Sequence, residues 1–362
     1  MPKIKELQSL GQSIWLDFIS RDILQSGELK QLVENGLMGV TSNPAIFQKA
    51  LAEGQTYDGQ LTNLAEKHTE PLAAYEALAI RDIQQAADVL RPVYDATDGV
   101  DGYVSLEVNP HLAYETDATI AEAERLFKEV DRPNVMIKVP ATQQGVVAVE
   151  RLIGQGININ VTLMFSMKHY DDVVMAYISG LETLKEKGGD LSRVASVASF
   201  FVSRLDAKLD PVLEGLGAGH LKGKIAIANT KLVYQRFGTL FSGDRWQALA
   251  DAGARVQRPL WASTSTKDPS FPDTLYVDNL IGPHTVNTLP PETLEAFNDH
   301  GTIERTVDKD LDAAEAAVAE LTQYNIDLLQ VGEELQEEGV EKFNKPFDAL
   351  LQTITNQLKQ VI

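Results

Sequence analysis

The sequence predicts an α/β protein: a (β/α)8 TIM barrel carrying additional N-terminal, inserted and C-terminal helices. Three observations predict it. Short apolar runs recur eight times, amphipathic stretches fall between them, and polar residues collect where the runs end. Strands alternating with helices imply parallel pairing and right-handed crossovers. Eight such units suggest a closed barrel, and 362 residues suit one barrel domain spanning 1–362.

The eight predicted strands are 14–19, 36–42, 102–108, 134–141, 157–165, 193–201, 259–263 and 284–289. Amphipathic spacing predicts helices over 120–130, 144–153, 170–186 and 232–241. The interval from 42 to 102 has room for two or three inserted helices. Residues 274–281 are read as a helix, because a strand there would leave too little chain after Ser265 for a crossover of at least ~10–12 residues. Residues 306–362 read as a C-terminal helical extension packed on the barrel. Gly339 is taken as a break between helices over 308–338 and 345–361. These helices are candidate contacts of a homodimer.

Barrel chemistry sits at the C-terminal strand ends. The predicted ends present Asp17; Thr41 and Asn43; Glu107 and Asn109; Lys138 and Thr142; Asn160 and Thr162; Ser199, with Arg204 beyond; and Ser263, Ser265 and Lys267. Strand periodicity puts Tyr103, Ser105 and Glu107 on one face, and likewise Asn134, Met136 and Lys138, and Asn158, Asn160 and Thr162. A barrel interior built for stability alone would fill those positions with Val, Ile and Leu. Each residue also has a plainer reading. Asp17 can cap the next helix, although Ser20 serves as well. Asn43 before Pro44 suits a turn or cap, Glu107 and Lys138 can form a structural ion pair, and Arg204 can lie on an exposed helix face beside Asp206 or Lys208.

Lys138 is the most telling. It stands in Val135-Met136-Ile137-Lys138-Val139-Pro140, a run that otherwise reads as a fully buried strand. A charge there is costly unless paired, and a neutral lysine is a nucleophile for carbonyl carbon. The plainer reading is a lysine snorkelling from a strand end.

Composition narrows the function. Lys and Arg number 32 against 52 Asp and Glu, a net charge of −20, which argues against nucleic acid or an anionic membrane as partner. With no cysteine, thiolate nucleophiles and Cys-ligated metals are excluded. The six histidines show no metal-ligand spacing, and no Walker A loop or strand-linked Gly-x-Gly-x-x-Gly is present. No secretory h-region or membrane-length apolar run appears, so a cytoplasmic location is expected.

Together the segments Trp15-Leu16-Asp17, Gly39-Val40-Thr41-Ser42-Asn43-Pro44, Ser105-Leu106-Glu107-Val108, Ile137-Lys138-Val139-Pro140-Ala141-Thr142, Asn160-Val161-Thr162, Ser199-Phe200-Phe201-Val202-Ser203-Arg204 and Trp261-Ala262-Ser263-Thr264-Ser265-Thr266-Lys267 resemble the transaldolases, which are Schiff-base aldolases. The resemblance runs from about residue 13 to 290, in a form similar to a longer bacterial subfamily. It implies Lys138 as nucleophile, Asp17 as the acid/base of C3–C4 cleavage, and Glu107 and Thr162 as holders of a catalytic water. It further implies Thr41, Asn43, Asn160 and Ser199 around a dihydroxyacetone unit, and Arg204 on the substrate phosphate. No metal or other cofactor is implied, and sugar phosphates of the non-oxidative pentose phosphate pathway are the implied substrates. The seventh segment departs from the better-known form: Lys267 stands in for an arginine, so Ser263, Ser265 and Lys267 are all phosphate candidates. Two alternatives stand beside this. Fructose-6-phosphate aldolases share the barrel but are much shorter, and a non-catalytic sugar-phosphate-binding barrel would have no use for Lys138, Asp17 and Glu107.

Overall fold

A computed structural model describes residues 2–53 and 55–360. Its eight strands are β1 (Gln12–Leu16), β2 (Gly39–Thr41), β3 (Tyr103–Glu107), β4 (Val135–Pro140), β5 (Ile159–Met164), β6 (Ser196–Phe201), β7 (Arg258–Ala262) and β8 (Thr285–Leu289). All pair in parallel and in sequence order, and β8 closes on β1. The predicted barrel and its strand order are therefore observed. Helices cover the outside, so every strand residue is buried. That two-sided burial explains the near-continuous apolar runs.

Several predicted boundaries move. β1 starts and ends earlier than 14–19, so Asp17 follows the strand instead of standing inside it. Residues 36–38 belong to a turn: Gly36 takes φ +111°, and Leu37 N–H closes back onto the Leu32 carbonyl. Residues 191–193 form a 3-10 turn before β6. The interval between β2 and β3 holds three helices, Pro44–Glu53, Asp58–Glu66 and Pro71–Ala96. The short helix read over 274–281 is found at Leu275–Asn279.

The break predicted at Gly339 is wrong. One helix runs from Leu328 to Gln360, through both Gly339 and Pro346, and Val361 lies outside the described residues. Gly339 serves close approach instead. A Cβ there would stand 2.8 Å from Leu163 Cδ2, tighter than real contacts allow.

Inside the barrel the side chains change character with height. Trp15 fills the middle, and Gly39 makes room for it, since a Cβ on Gly39 would lie 2.6 Å from the indole. Below, at the N-terminal end, a buried Arg258 donates to Asp101 at 2.9 Å and to Ser13 at 2.6 Å, while Trp15 Nε1 also donates to Asp101. This polar cluster lines a cavity of 470 Å³ at the strand starts, with Met136, Val197 and His284, and was not foreseen from the sequence. Above Trp15, toward the C-terminal end, lie the polar positions of the predicted site.

Candidate active site

Strand register builds the centre. Lys138 on β4 is paired with Glu107 on β3 and with Asn160 on β5. In parallel strands such partners point the same way, so three polar side chains sit abreast. Lys138 Nζ donates to the Ser42 carbonyl at 2.8 Å and lies 3.9 Å from Glu107 Oε2. The lysine is 6% exposed, which removes the snorkelling reading. Pro140 pairs with Thr162 one turn of pleat further up. β5 is irregular there: its register shifts between Val161 and Met164, and Leu163 takes φ +61°. A β-branched-free but bulky residue in that region is strained, and such strain gathers at sites.

Eleven of the twelve predicted residues line one cavity of 230 Å³ at this mouth: Asp17, Thr41, Asn43, Lys138, Asn160 and Thr162 from the ends of β1, β2, β4 and β5, then Ser199, Arg204, Ser263, Ser265 and Lys267 from the sixth and seventh. Glu107 is the exception and reaches the site through Lys138. Not every polar strand end belongs to the site. Thr142 caps the helix Gln143–Ile153 by accepting from Gly145 N–H at 3.0 Å, and Asn109 caps a 3-10 turn. Each cap contributes on the order of 1 kcal/mol.

Hydrogen bonds fix the remaining groups. Thr41 Oγ1 donates to Asp17 Oδ1 at 2.7 Å, and its oxygen also meets Thr288 Oγ1 at 2.7 Å. A hydroxyl has one proton, so Thr288 donates to Thr41. Ser20 caps the helix Arg21–Gln25, leaving Asp17 free for the cavity. Ser199 donates to Asn160 Oδ1 at 2.6 Å, and Asn160 Nδ2 donates to Ser105 at 3.1 Å. Asn43 Oδ1 accepts from Ile46 N–H, a helix cap as the plainer reading had it. Its amide nitrogen, which has no partner in that cap, is left for a ligand. Ser263 takes φ +55° and meets Ser203 Oγ at 3.0 Å, while Lys267 donates to Ser265 at 2.6 Å on the exposed rim.

Electrostatics follow from burial. Burial pushes the Asp17 carboxyl above its usual range, opposed by Lys138 and the Thr41 bond. Burial pushes Glu107 up as well, again opposed by Lys138. Burial pulls the Arg204 guanidinium down, opposed by Glu338 and Asp17. Arg204 is not on an open helix face. Its guanidinium lies 5.0 Å from the Phe201 ring centre and 6.0 Å from that of Phe343, with Nη1 buried and unpartnered among the described residues. Glu107 Oε2 and Thr162 Oγ1 are likewise buried without a hydrogen-bond partner. A buried unpaired donor or acceptor costs roughly 1–3 kcal/mol, so all three are set to receive something.

Four contributors were missed. Thr288, Glu292, Phe201 and Phe343 also line the cavity. Thr288 lies on β8, in Thr285-Val286-Asn287-Thr288-Leu289, where a threonine reads as an ordinary strand residue. Glu292 reads as an ordinary first-turn acid of the helix Pro291–His300. Phe343 lies in the distant C-terminal helix, where an apolar residue gives no local signal. Among the described residues, no group of three or more His, Asp or Glu could hold a metal, and no helix is long and apolar enough to cross a membrane.

A buried lysine at the mouth of a parallel barrel, with carboxylates beside it and an arginine across the cavity, is suited to the chemistry of lysine-dependent aldolases. Comparison with known proteins agrees. Residues 14–354 match the transaldolase/fructose-6-phosphate aldolase family, and the chain belongs to it. It is 50% identical over 360 residues to the transaldolase of Parafrankia sp. (strain EAN1pec), covering 98% of each chain. It is equally identical over the same length to that of Thermobifida fusca, again covering 98% of each. Transaldolase 2 of Nostoc sp. (strain PCC 7120) is 48% identical over 369 residues, covering 98% of this chain and 97% of the relative.

Proposed function

We propose that this chain is a transaldolase that moves a dihydroxyacetone unit from sedoheptulose 7-phosphate or fructose 6-phosphate to an aldose phosphate acceptor. The observation that carries the reading is Lys138, buried at the cavity floor between Glu107 and Asn160. The amine adds to the ketose C2 carbonyl. A water held by Glu107 Oε2 and Thr162 Oγ1, two buried oxygens without a hydrogen-bond partner among the described residues, moves the protons of carbinolamine formation and dehydration. The iminium draws electrons from the C3–C4 bond. Asp17 takes the C4 hydroxyl proton as that bond breaks, and returns it when the acceptor adds. Burial raises its proton affinity, which suits a group that must hold the proton between the two half-reactions.

Asn160, Ser199 and the amide nitrogen of Asn43 bind the hydroxyls of the dihydroxyacetone unit, and Thr41 steadies Asp17. Arg204 offers a planar donor fork to the phosphate, joined from the seventh strand end by Ser263, Ser265 and Lys267. These cations answer how a chain of net charge −20 binds an anion. The reading includes a cytoplasmic setting and leaves the outer face of the C-terminal helix for a homodimer contact.

Product analysis tests it. With fructose 6-phosphate and erythrose 4-phosphate, sedoheptulose 7-phosphate should form. Without an acceptor, little free dihydroxyacetone should appear. Equal release with and without acceptor would replace this reading by the aldolase one.

A further inference from the structure

We propose that Phe343, carried on the C-terminal helix, shields the carbon unit bound to Lys138 from water and so decides between its transfer and its release. This rests on the reading of Lys138 as the Schiff-base lysine. The ring centre lies 5.8 Å from Lys138 Nζ and 6.0 Å from the Arg204 guanidinium carbon. A ketose phosphate joined to Nζ at C2 and held by Arg204 at its phosphate must run beneath that ring. On the strands beside Nζ the groups are polar: the Ser42 carbonyl, Glu107 and the register partner Asn160, while Phe201 is the other aromatic lining the cavity. Phe343 carries neither donor nor acceptor and occupies space where water would otherwise stand.

The helix is built to hold the ring there. Residues 332, 336, 339 and 343 fall at helical spacings of four, three and four, on one face. A Cβ on Gly332 would stand 2.8 Å from Ser166 Cβ, and one on Gly339 would stand 2.8 Å from Leu163 Cδ2. Between them the buried Gln336 amide donates to the carbonyls of Ala141 and Leu163 at 2.9 and 3.0 Å. Those carbonyls lie at the ends of β4 and β5, the strands that carry Lys138 and Thr162. One turn beyond, Phe347 meets the Tyr75 ring at 5.6 Å. Two glycines and a bidentate amide thus fix Phe343 relative to the reacting nitrogen, not merely to the barrel surface.

The shield matters at one step. After cleavage, the three-carbon unit remains on Lys138 as an enamine. If C3 takes a proton, it gains a C–H bond and the nitrogen becomes an iminium. Water then adds to C2, and the carbinolamine collapses to free dihydroxyacetone and the lysine amine. Transfer instead forms a new C3–C4 bond to the acceptor. On this proposal Phe343 hinders the approach of both the proton and the water of the first route.

The test uses the full chain with Phe343→Leu and Phe343→Ala. Three quantities are read with fructose 6-phosphate: dihydroxyacetone released without acceptor, transfer to erythrose 4-phosphate, and the borohydride-trapped adduct mapped by mass. The release-to-transfer ratio should rise tenfold or more in Phe343→Ala and severalfold in Phe343→Leu, with the Lys138 adduct still formed. Should the alanine variant not fold, the leucine ratio decides alone. An unchanged ratio with the adduct intact overturns the shield and spares the lysine. A wild-type chain that yields no adduct overturns the lysine reading, and the shield with it.

Discussion

Glu107 Oε2 lies 3.9 Å from Lys138 Nζ, yet that oxygen makes no hydrogen bond among the described residues. The two are register partners on adjacent strands. A structural ion pair would close that gap, because a buried charge pair needs good geometry to offset its desolvation. The open spacing fits a carboxyl that works through water. Replacing Glu107 by Gln keeps the shape and removes the proton acceptor. The rate of adduct formation on Lys138 should fall by about 10²-fold or more, measured by rapid quench into borohydride. An unaltered rate would return the pair to a structural role.

Asp17 should cost the fold stability at neutral pH. Its folded-state proton affinity is raised above that of an ordinary, solvated carboxylate, mainly by burial. The stability from a group raised in this way is fully present below the ordinary carboxylate range and is lost as pH rises through the folded-state value. Asp17→Asn avoids the loss. Its Tm should exceed that of the parent at neutral pH, with the difference shrinking as pH falls, while cleavage becomes slow. Calorimetry across pH reads the first effect and turnover reads the second.

Arg204 is predicted to act on phosphate through its fork. Arg204→Lys keeps the charge but loses the planar pair of donors and the stacking between Phe201 and Phe343. KM for fructose 6-phosphate should rise tenfold or more, and inhibition by inorganic phosphate should weaken in parallel. Equal KM values would remove Arg204 from the phosphate site.

Gly145 touches none of the reacting groups, yet it should matter to them. A Cβ there would stand 1.9 Å from the carbonyl oxygen of Pro140, the last residue of β4. Gly145→Ala must push the helix Gln143–Ile153 away from the strand end and disturb the Thr142 cap. We expect a loss of roughly 1–3 kcal/mol, read by denaturant unfolding, together with slower turnover because Lys138 lies two residues before the clash.

Much of this site could be read from the sequence because its residues occupy strand ends. There a polar side chain interrupts an apolar run, and parallel register then brings the separate interruptions together. Lys138, Glu107 and Asn160 were legible for that reason. The same signal also drew in Thr142, which turned out to be a cap, since a helix start and a barrel mouth fall at the same place in the chain. Phe343 and Gln336 were not legible. Phe343 reaches the cavity, and Gln336 the strand ends beside it, from an amphipathic helix where apolar and polar residues alternate as on any surface helix, and only tertiary contact marks them. Gly339 misled because a glycine in a helix has two uses. Its neighbour across the interface, Leu163, could not be paired with it from sequence spacing. The Arg258–Asp101 pair lies at the strand starts, where a charged residue reads as the ordinary solvated flank of a strand.

The most direct measurement is borohydride reduction of the chain in the presence of fructose 6-phosphate, followed by peptide mapping. The account predicts a single modified lysine, Lys138, and neither adduct nor turnover in Lys138→Ala. Turnover that persists in that variant, or an adduct on a different lysine, would contradict it.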